Sequence, residues 1–266
     1  MNLPLVCIAL RGRTGSQIAN DAKEAENLGA DVVEVRLDNL WTMEERLQVS
    51  ADSEGTDSSR SEKVESLVKQ LELGEVDFET EFEIISQCTE LPMILTCRPQ
   101  RQGGFYPGNE DQRLEVLRSA ISIEPDWIDL EVDITESVRD DLVSQTGDKT
   151  KVIASTHTIE GTPTASEIIQ DVEDYQEMGD LVKVCYTTAN RTDGLRIFEA
   201  AWNLKDSGIC IALMGLGPGG DWARIHAPIL DQYMVYSSTE SGWHLAQQGR
   251  INASDLRVAW AILEYD

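Results

Sequence analysis

The sequence predicts an α/β fold, a (β/α)8 TIM barrel with parallel strands. Three observations carry that expectation. Short apolar runs alternate with longer helical stretches from one end of the chain to the other, giving eight βα units. The runs are apolar throughout rather than at alternate positions, as parallel strands buried on both faces require. The length of 266 residues is near the about 250 typical of such barrels. Residues 1–266 are read as one barrel domain. An open doubly wound sheet is the alternative. No Gly-x-Gly-x-x-Gly follows the first run, so its nucleotide-binding version has little support.

In order, Leu5–Leu10 reads as the first strand, and Gln17–Leu28 as an amphipathic helix stopped by Gly29. Val32–Leu37 is the second strand. Residues 50–62 are polar without periodicity and read as a surface loop, followed by a helical stretch over Glu62–Cys88 broken near Gly74. Met93–Cys97 and Trp127–Val132 are strands three and four, followed by helices at Glu110–Ile123 and Glu136–Ser144. Lys151–Ser155, Leu181–Cys185 and Ile209–Met214 are strands five to seven, with helices at Ala165–Met178, Thr192–Lys205 and Ala223–Leu230. Gln232–Tyr236 is strand eight and Ala253–Leu263 the closing helix.

Composition narrows the function. The net charge is −26, with fifteen Arg against seven Lys, which argues against nucleic acid as a partner. An acidic, lysine-poor chain resembles proteins of extreme halophiles; an ordinary acidic cytosolic protein is the alternative. Self-repulsion of this size is tolerable where salt shortens the Debye length to about 3 Å. No run approaches the roughly 20 apolar residues of a membrane span, and Met1–Val6 lacks the basic start of a signal peptide. Cys7, Cys97, Cys185 and Cys210 fall within strands as small hydrophobes. The reading is a reducing cytoplasm, no disulfides and no metal-type Cys spacing.

The chemistry gathers at strand ends, where a barrel carries its active site. Lys183 lies inside the apolar run Asp180-Leu181-Val182-Lys183-Val184-Cys185-Tyr186. Burial of an ammonium is costly, so such a lysine is expected to have a lowered pKa and to attack a ketone as a free amine. One strand earlier, Val152-Ile153-Ala154-Ser155-Thr156-His157 ends in one of only three histidines. The second strand offers Glu34, Arg36 and Asp38, and the two-residue period puts Glu34 and Arg36 on one side, able to satisfy each other. Arg98 follows the third strand, Asp129 and Glu131 lie on the fourth, and Met214 and Arg224 flank a Gly-rich stretch after the seventh. That stretch reads as a phosphate cradle or a tight turn. Singly, each group has a structural reading: Glu34 and Arg36 as an ion pair, His157 as a hydrogen-bonded strand end, Lys183 as a snorkelling side chain. Their convergence on one mouth favours a site.

The ordered motifs are Glu-x-Arg-x-Asp, Thr-x-Arg with Gly-Gly, Ile-Asp-Leu-Glu, Ser-x-His, Val-Lys and Met-Gly with Arg. Together they resemble the type I 3-dehydroquinate dehydratases, from Val6 to the final helix. The resemblance implies a (β/α)8 barrel, a homodimer, and conversion of 3-dehydroquinate to 3-dehydroshikimate without cofactor or metal. It implies Lys183 as the Schiff-base lysine and His157 as the general acid/base. It implies Glu34, Arg36, Arg98, Asp129 and Glu131 as pocket residues, Met214 as an apolar wall and Arg224 as the grip on the substrate carboxylate. Departures are visible. Gln102 stands where the family carries Glu, and Ala223 where Ser is common. The family's lid Ser-Ala-Pro-Gly-Gln becomes Ala246-Gln247-Gln248-Gly249-Arg250, so Arg250 would replace the glutamine's substrate contact with a charged one. A class I aldolase-type barrel and a catalytically weak binder of a quinate-like acid are the alternatives.

Overall fold

The structure, a computed structural model, describes residues 3–48 and 64–265. The chain opens with β1 (Leu5–Ala9), α1 (Gly15–Asn27) and β2 (Val32–Arg36). A hairpin of β3 (Thr42–Gln48) and β4 (Val64–Gln70) follows, then α2 (Phe78–Ile85). Next come β5 (Met93–Thr96), α3 (Glu110–Ser122), β6 (Trp127–Glu131), α4 (Glu136–Thr146), β7 (Lys151–Thr158) and α5 (Ala165–Tyr175). The last third holds β8 (Leu181–Thr187), α6 (Arg191–Leu204), β9 (Ile211–Leu216), α7 (Trp222–Ile225), β10 (Met234–Ser237), α8 (His244–Gln247) and α9 (Ala253–Ile262). Eight strands form one parallel sheet in the order β10-β1-β2-β5-β6-β7-β8-β9, each separated from the next by helix. The sheet curls into a nearly closed (β/α)8 barrel. At the β9–β10 seam, Tyr233 N donates to Ile211 O at 2.9 Å and Leu213 N donates to the Gln232 side-chain oxygen at 2.8 Å.

The expected helix over Glu62–Cys88 is corrected in its first part. Val64–Gln70 is a strand, paired antiparallel with β3 from Thr42↔Gln70 to Gln48↔Val64. Leu67 and Val68 stay exposed, so no buried apolar face rewards a helix there, and the ladder with β3 decides the conformation. Within the rest of that stretch a 3-10 turn covers Leu73–Glu75, and the helix is α2 alone, which starts at the side-chain cap of Asp77. The polar loop expected at 50–62 lies outside the described residues. Cys7, Cys97 and Cys185 are buried, whereas Cys210 is exposed just before β9 rather than inside a strand.

Inward-facing residues stack in layers because alternate positions of a strand face the same side. At the bottom, Val32, Ile94, Trp127, Ile153, Leu181, Ala212 and Met234 form one apolar cluster with Cys7. Tyr233 closes it, edge-on to Trp127 at 6.0 Å. Moving two positions along each strand gives Glu34, Thr96, Asp129, Ser155, Lys183, Met214 and Tyr236, all buried. Two further on come Arg36, Arg98, Glu131, His157 and Cys185. The barrel thus changes from oil to ions within one layer.

Candidate active site

Lys183 stands in the middle layer, 2% exposed. Its Nζ donates to Glu34 Oε1 at 2.7 Å and to Asp129 Oδ2 at 3.1 Å, and lies 4.0 Å from the centroid of the Tyr236 ring. Burial opposes its charge, but Glu34 and Asp129 outweigh it and hold the ammonium above its ordinary value. This corrects the expectation of a lowered pKa. An apolar run says nothing of carboxylates that reach in from other strands.

Arg98, 1% exposed, ties the acids together. One terminal nitrogen donates to Glu131 Oε1 at 2.7 Å and Ser155 Oγ at 2.8 Å, the other to Asp129 Oδ2 at 2.7 Å. Ser155 Oγ in turn donates to Asp129 Oδ1. Glu131 is shared with Arg113 of α3 at 2.8 Å. Burial would lift the Asp129 carboxyl, yet Arg98 and Lys183 hold it well below the usual carboxylate range. At Glu131 burial wins and, aided by Asp129, raises the carboxyl above its ordinary value despite both arginines. Lys183, Arg98 and Arg113 face Glu34, Asp129 and Glu131, so the buried charges cancel.

Arg36 does not pair with Glu34, which corrects the sequence expectation. Its Nε and Nη2 donate to Asp38 at 2.8 and 2.7 Å, while Thr96 Oγ1 donates to Glu34 at 3.0 Å. Asp38 also accepts from the backbone N–H groups of Arg98 and Phe105, so it is the hub that fixes the loop after β5.

His157 sits half-buried at the end of β7. Its backbone N–H donates to Gln102 Oε1 at 3.0 Å, and its Nδ1 is buried without a partner among the described residues. Burial of the ring, reinforced by the nearby charges of Arg98 and Lys183, pushes the imidazole well below its ordinary value. The ring is therefore neutral at pH 7 and able to accept a proton.

Arg224 is 4% exposed and is held by carbonyl oxygens alone. Nε donates to Tyr236 O at 3.0 Å, and one terminal nitrogen donates to Gly215 O and Gly220 O at 2.7 Å and to Gly249 O. The glycines allow this crowding, for a Cβ on Gly220 would lie 2.4 Å from Gly215 O. The Gly-rich stretch is thus neither a phosphate cradle nor a bare turn, since at the guanidinium it offers carbonyls instead of N–H groups. Burial lowers the Arg224 pKa to about 10, and no carboxylate pairs with it among the described residues. Met214, buried beside Cys185 in the ladder, is an apolar wall.

Arg250 stands apart. It donates to Glu240, Gln248 and Ser238, and Glu240 also pairs with Arg11. The sequence reading missed Thr96, Ser155, Arg113 and Tyr236. The two-residue inward period points to Thr96, Ser155 and Tyr236; nothing local points to Arg113 on its helix. A cleft of about 900 Å³ lies outside this cluster between the β1–α1 loop and the hairpin, lined by Arg11, Thr42, Asp77 and Glu240. The convergence of ionisable groups, not cleft size, locates the site. No helix among the described residues is long and apolar enough to cross a membrane.

A parallel barrel with a buried lysine, a neutral histidine and an uncompensated arginine at its C-terminal end defines a barrel enzyme acting on a small carbonyl acid. The family model for type I 3-dehydroquinase matches residues 6–266. A 3-dehydroquinate dehydratase of Methanococcus maripaludis is 30% identical over 98% of this chain and all of its own length. That of Methanopyrus kandleri is 27% identical over 97% of this chain and likewise all of its own. The solved type I enzyme of Clostridium difficile, carrying covalently modified comenic acid, shares the fold with a TM-score of 0.77. It is 22% identical and covers 99% of this chain and 93% of its own. The chain therefore belongs to the type I 3-dehydroquinases, which are hydro-lyases.

Proposed function

We propose that the protein dehydrates 3-dehydroquinate to 3-dehydroshikimate, a step of the shikimate pathway, through an imine on Lys183. The observation that carries this reading is the buried Lys183 Nζ between Glu34 and Asp129, 2.7 and 3.1 Å away. Before substrate binds, those acids keep the amine protonated. Substrate hydroxyls that take over Glu34 and Asp129 release it, and the proton passes to His157. The free amine then attacks the C3 ketone, His157 gives its proton to the carbinolamine hydroxyl, which departs as water, and a protonated imine forms beside a neutral imidazole. That cation withdraws electrons from C2, so His157 can remove the C2 proton. The same proton returns to the C1 hydroxyl as it leaves as water, and hydrolysis of the product imine restores Lys183. The imine is the electron sink, so the chemistry calls on no cofactor and no metal. Arg224, buried without a counter-ion among the described residues, takes the substrate carboxylate; Arg36, held by Asp38, and Arg98, held by Asp129 and Glu131, line the pocket with their charges compensated, and Met214 walls it.

Borohydride reduction in the presence of substrate tests the reading. It should fix the mass of the reduced adduct on Lys183, and Lys183→Ala should lose both adduct and turnover. An adduct on another lysine, or none, would overturn the imine.

The family resemblance and the charge of −26 support two further readings: a single-domain homodimer working in the cytoplasm, and a halophilic source.

A further inference from the structure

We propose that Tyr236 is a working part of the site: its ring face supports the positive charge on Lys183 Nζ and its hydroxyl is kept for a bound substrate oxygen. The inference rests on the imine reading above and adds a residue to it.

Two observations carry it. The ring centroid lies 4.0 Å from Nζ, within the range where an aromatic face attracts a cation. The phenol oxygen is buried and has no hydrogen-bond partner among the described residues, although the residue is only 8% exposed. A hydroxyl placed in a core without a partner is costly, and an apolar side chain of similar shape would avoid the cost. The position is also firmly built. The Tyr236 carbonyl accepts from Arg224 Nε at 3.0 Å, and the residue pairs with Cys7 in the β1–β10 ladder. One arginine thus fixes the strand that holds the ring against the lysine.

The ring's contribution differs from that of the acids. Glu34 and Asp129 are the groups that polyol hydroxyls compete for, so their grip on Nζ loosens when substrate binds. The ring face cannot be drawn away in that manner. It remains under the nitrogen as the ammonium becomes a neutral amine and then a protonated imine. It favours the two charged forms and disfavours only the short-lived neutral one. The groups that face Nζ are Glu34 from β2, Asp129 from β6, Arg98 after β5, His157 from β7, Cys185 on β8 itself and Cys7 from β1. Tyr236 is the aromatic member of this set.

Two variants separate ring from hydroxyl. Borohydride trapping with saturating substrate is followed against pH in wild type, Tyr236→Phe and Tyr236→Leu, with kcat and KM measured in parallel. Tyr236→Leu should lower the midpoint of the trapping profile by about one pH unit, the size of a desolvated cation–π contact, and lower kcat by about tenfold. Tyr236→Phe should keep the wild-type midpoint and raise KM by about fivefold, the cost of one neutral hydrogen bond. A Tyr236→Leu profile that superimposes on wild type overturns the role of the ring. An unchanged KM in Tyr236→Phe overturns the role of the hydroxyl. If wild type itself is not trapped on Lys183, the imine reading fails first, a different result from either of these. A folding defect would appear as lost secondary structure by circular dichroism, and Tyr236→Phe, which keeps the volume, carries the test in that event.

Discussion

Arg36 is bonded to Asp38 through two contacts of 2.8 and 2.7 Å, and this frees Glu34 for Lys183. A strand-two acid that sequence spacing assigns to an arginine is the partner of a lysine on the far side of the barrel. The carboxylate nearest the nucleophile therefore sets its protonation. Glu34→Gln leaves Asp129 as the only acid bonded to Lys183, so the lysine pKa should fall and borohydride trapping should reach its half-maximum at lower pH. The folded lysine pKa is raised, so its pairing stabilises the fold fully below the unfolded value of about 10.4. That stability is lost as pH climbs through the folded value. Glu34→Gln should weaken this alkaline limb; denaturant titrations from neutral to alkaline pH that match wild type would count against it.

Asp129 governs the acid side. Its pKa is held down by Arg98 and Lys183 against burial, so its stabilisation is present above the unfolded value of about 3.9 and is lost as pH falls below it. Asp129→Asn removes one anion from two buried cations. It should cost about 3–5 kcal/mol at neutral pH and flatten the loss of stability toward acid. Urea unfolding at several pH values reads both effects.

His157→Ala should still form the imine adduct but lose about 10²–10⁴-fold in turnover, the range for a missing general base. The wild-type imidazole is held below its ordinary value by burial, Arg98 and Lys183. The acid limb of kcat/KM should therefore lie below about pH 6.5. Gln102 bonds the His157 backbone at 3.0 Å; Gln102→Glu brings a negative charge to the ring and should move that limb upward. A limb that stays in place would separate Gln102 from the base.

Arg224→Met replaces a guanidinium bonded only to carbonyls with an apolar chain of similar length. KM should rise by at least about 100-fold if the lost contact is a charge-assisted bidentate one, with adduct on Lys183 recoverable at high substrate. Steady-state kinetics with normal KM would remove Arg224 from carboxylate binding.

Salt tests the surface. At a net charge of −26, repulsion between exposed carboxylates should weaken the fold in dilute buffer. The melting temperature should rise by many degrees between ~0.1 M and ~2 M KCl. A flat or falling melting curve would refute the halophilic reading without touching the catalytic assignments.

Much of the barrel was legible in the sequence because continuous apolar runs between amphipathic stretches leave few folds open. Val32–Arg36 and Leu181–Thr187 are read from local pattern alone. Val64–Gln70 was not, since its strand character comes from pairing with β3, a partner that the local pattern does not reveal. The site divides the same way. The expected residues of the barrel strands fall in its middle and upper layers, with Arg224 on α7 and Gln102 in the loop after β5, whereas Arg250 is engaged with Glu240. The partners could not be read, because Glu34 meets Lys183 across 149 positions of sequence. The sign of the Lys183 shift depends on those partners and was misjudged with them.

The seam between β9 and β10 has a mechanical consequence. Elsewhere around the ring the strands are stitched by backbone ladders, while at this joint a glutamine side chain from Gln232 stands in for a peptide carbonyl. The barrel is a bracelet, and Gln232 is its clasp. The strand beside the clasp, β10, carries Tyr236 against the nucleophile and is followed in the chain by the short helix α8. Local opening favours the joint with the fewest backbone bonds. A molecule entering this protein therefore meets its most yielding wall beside the lysine it must reach.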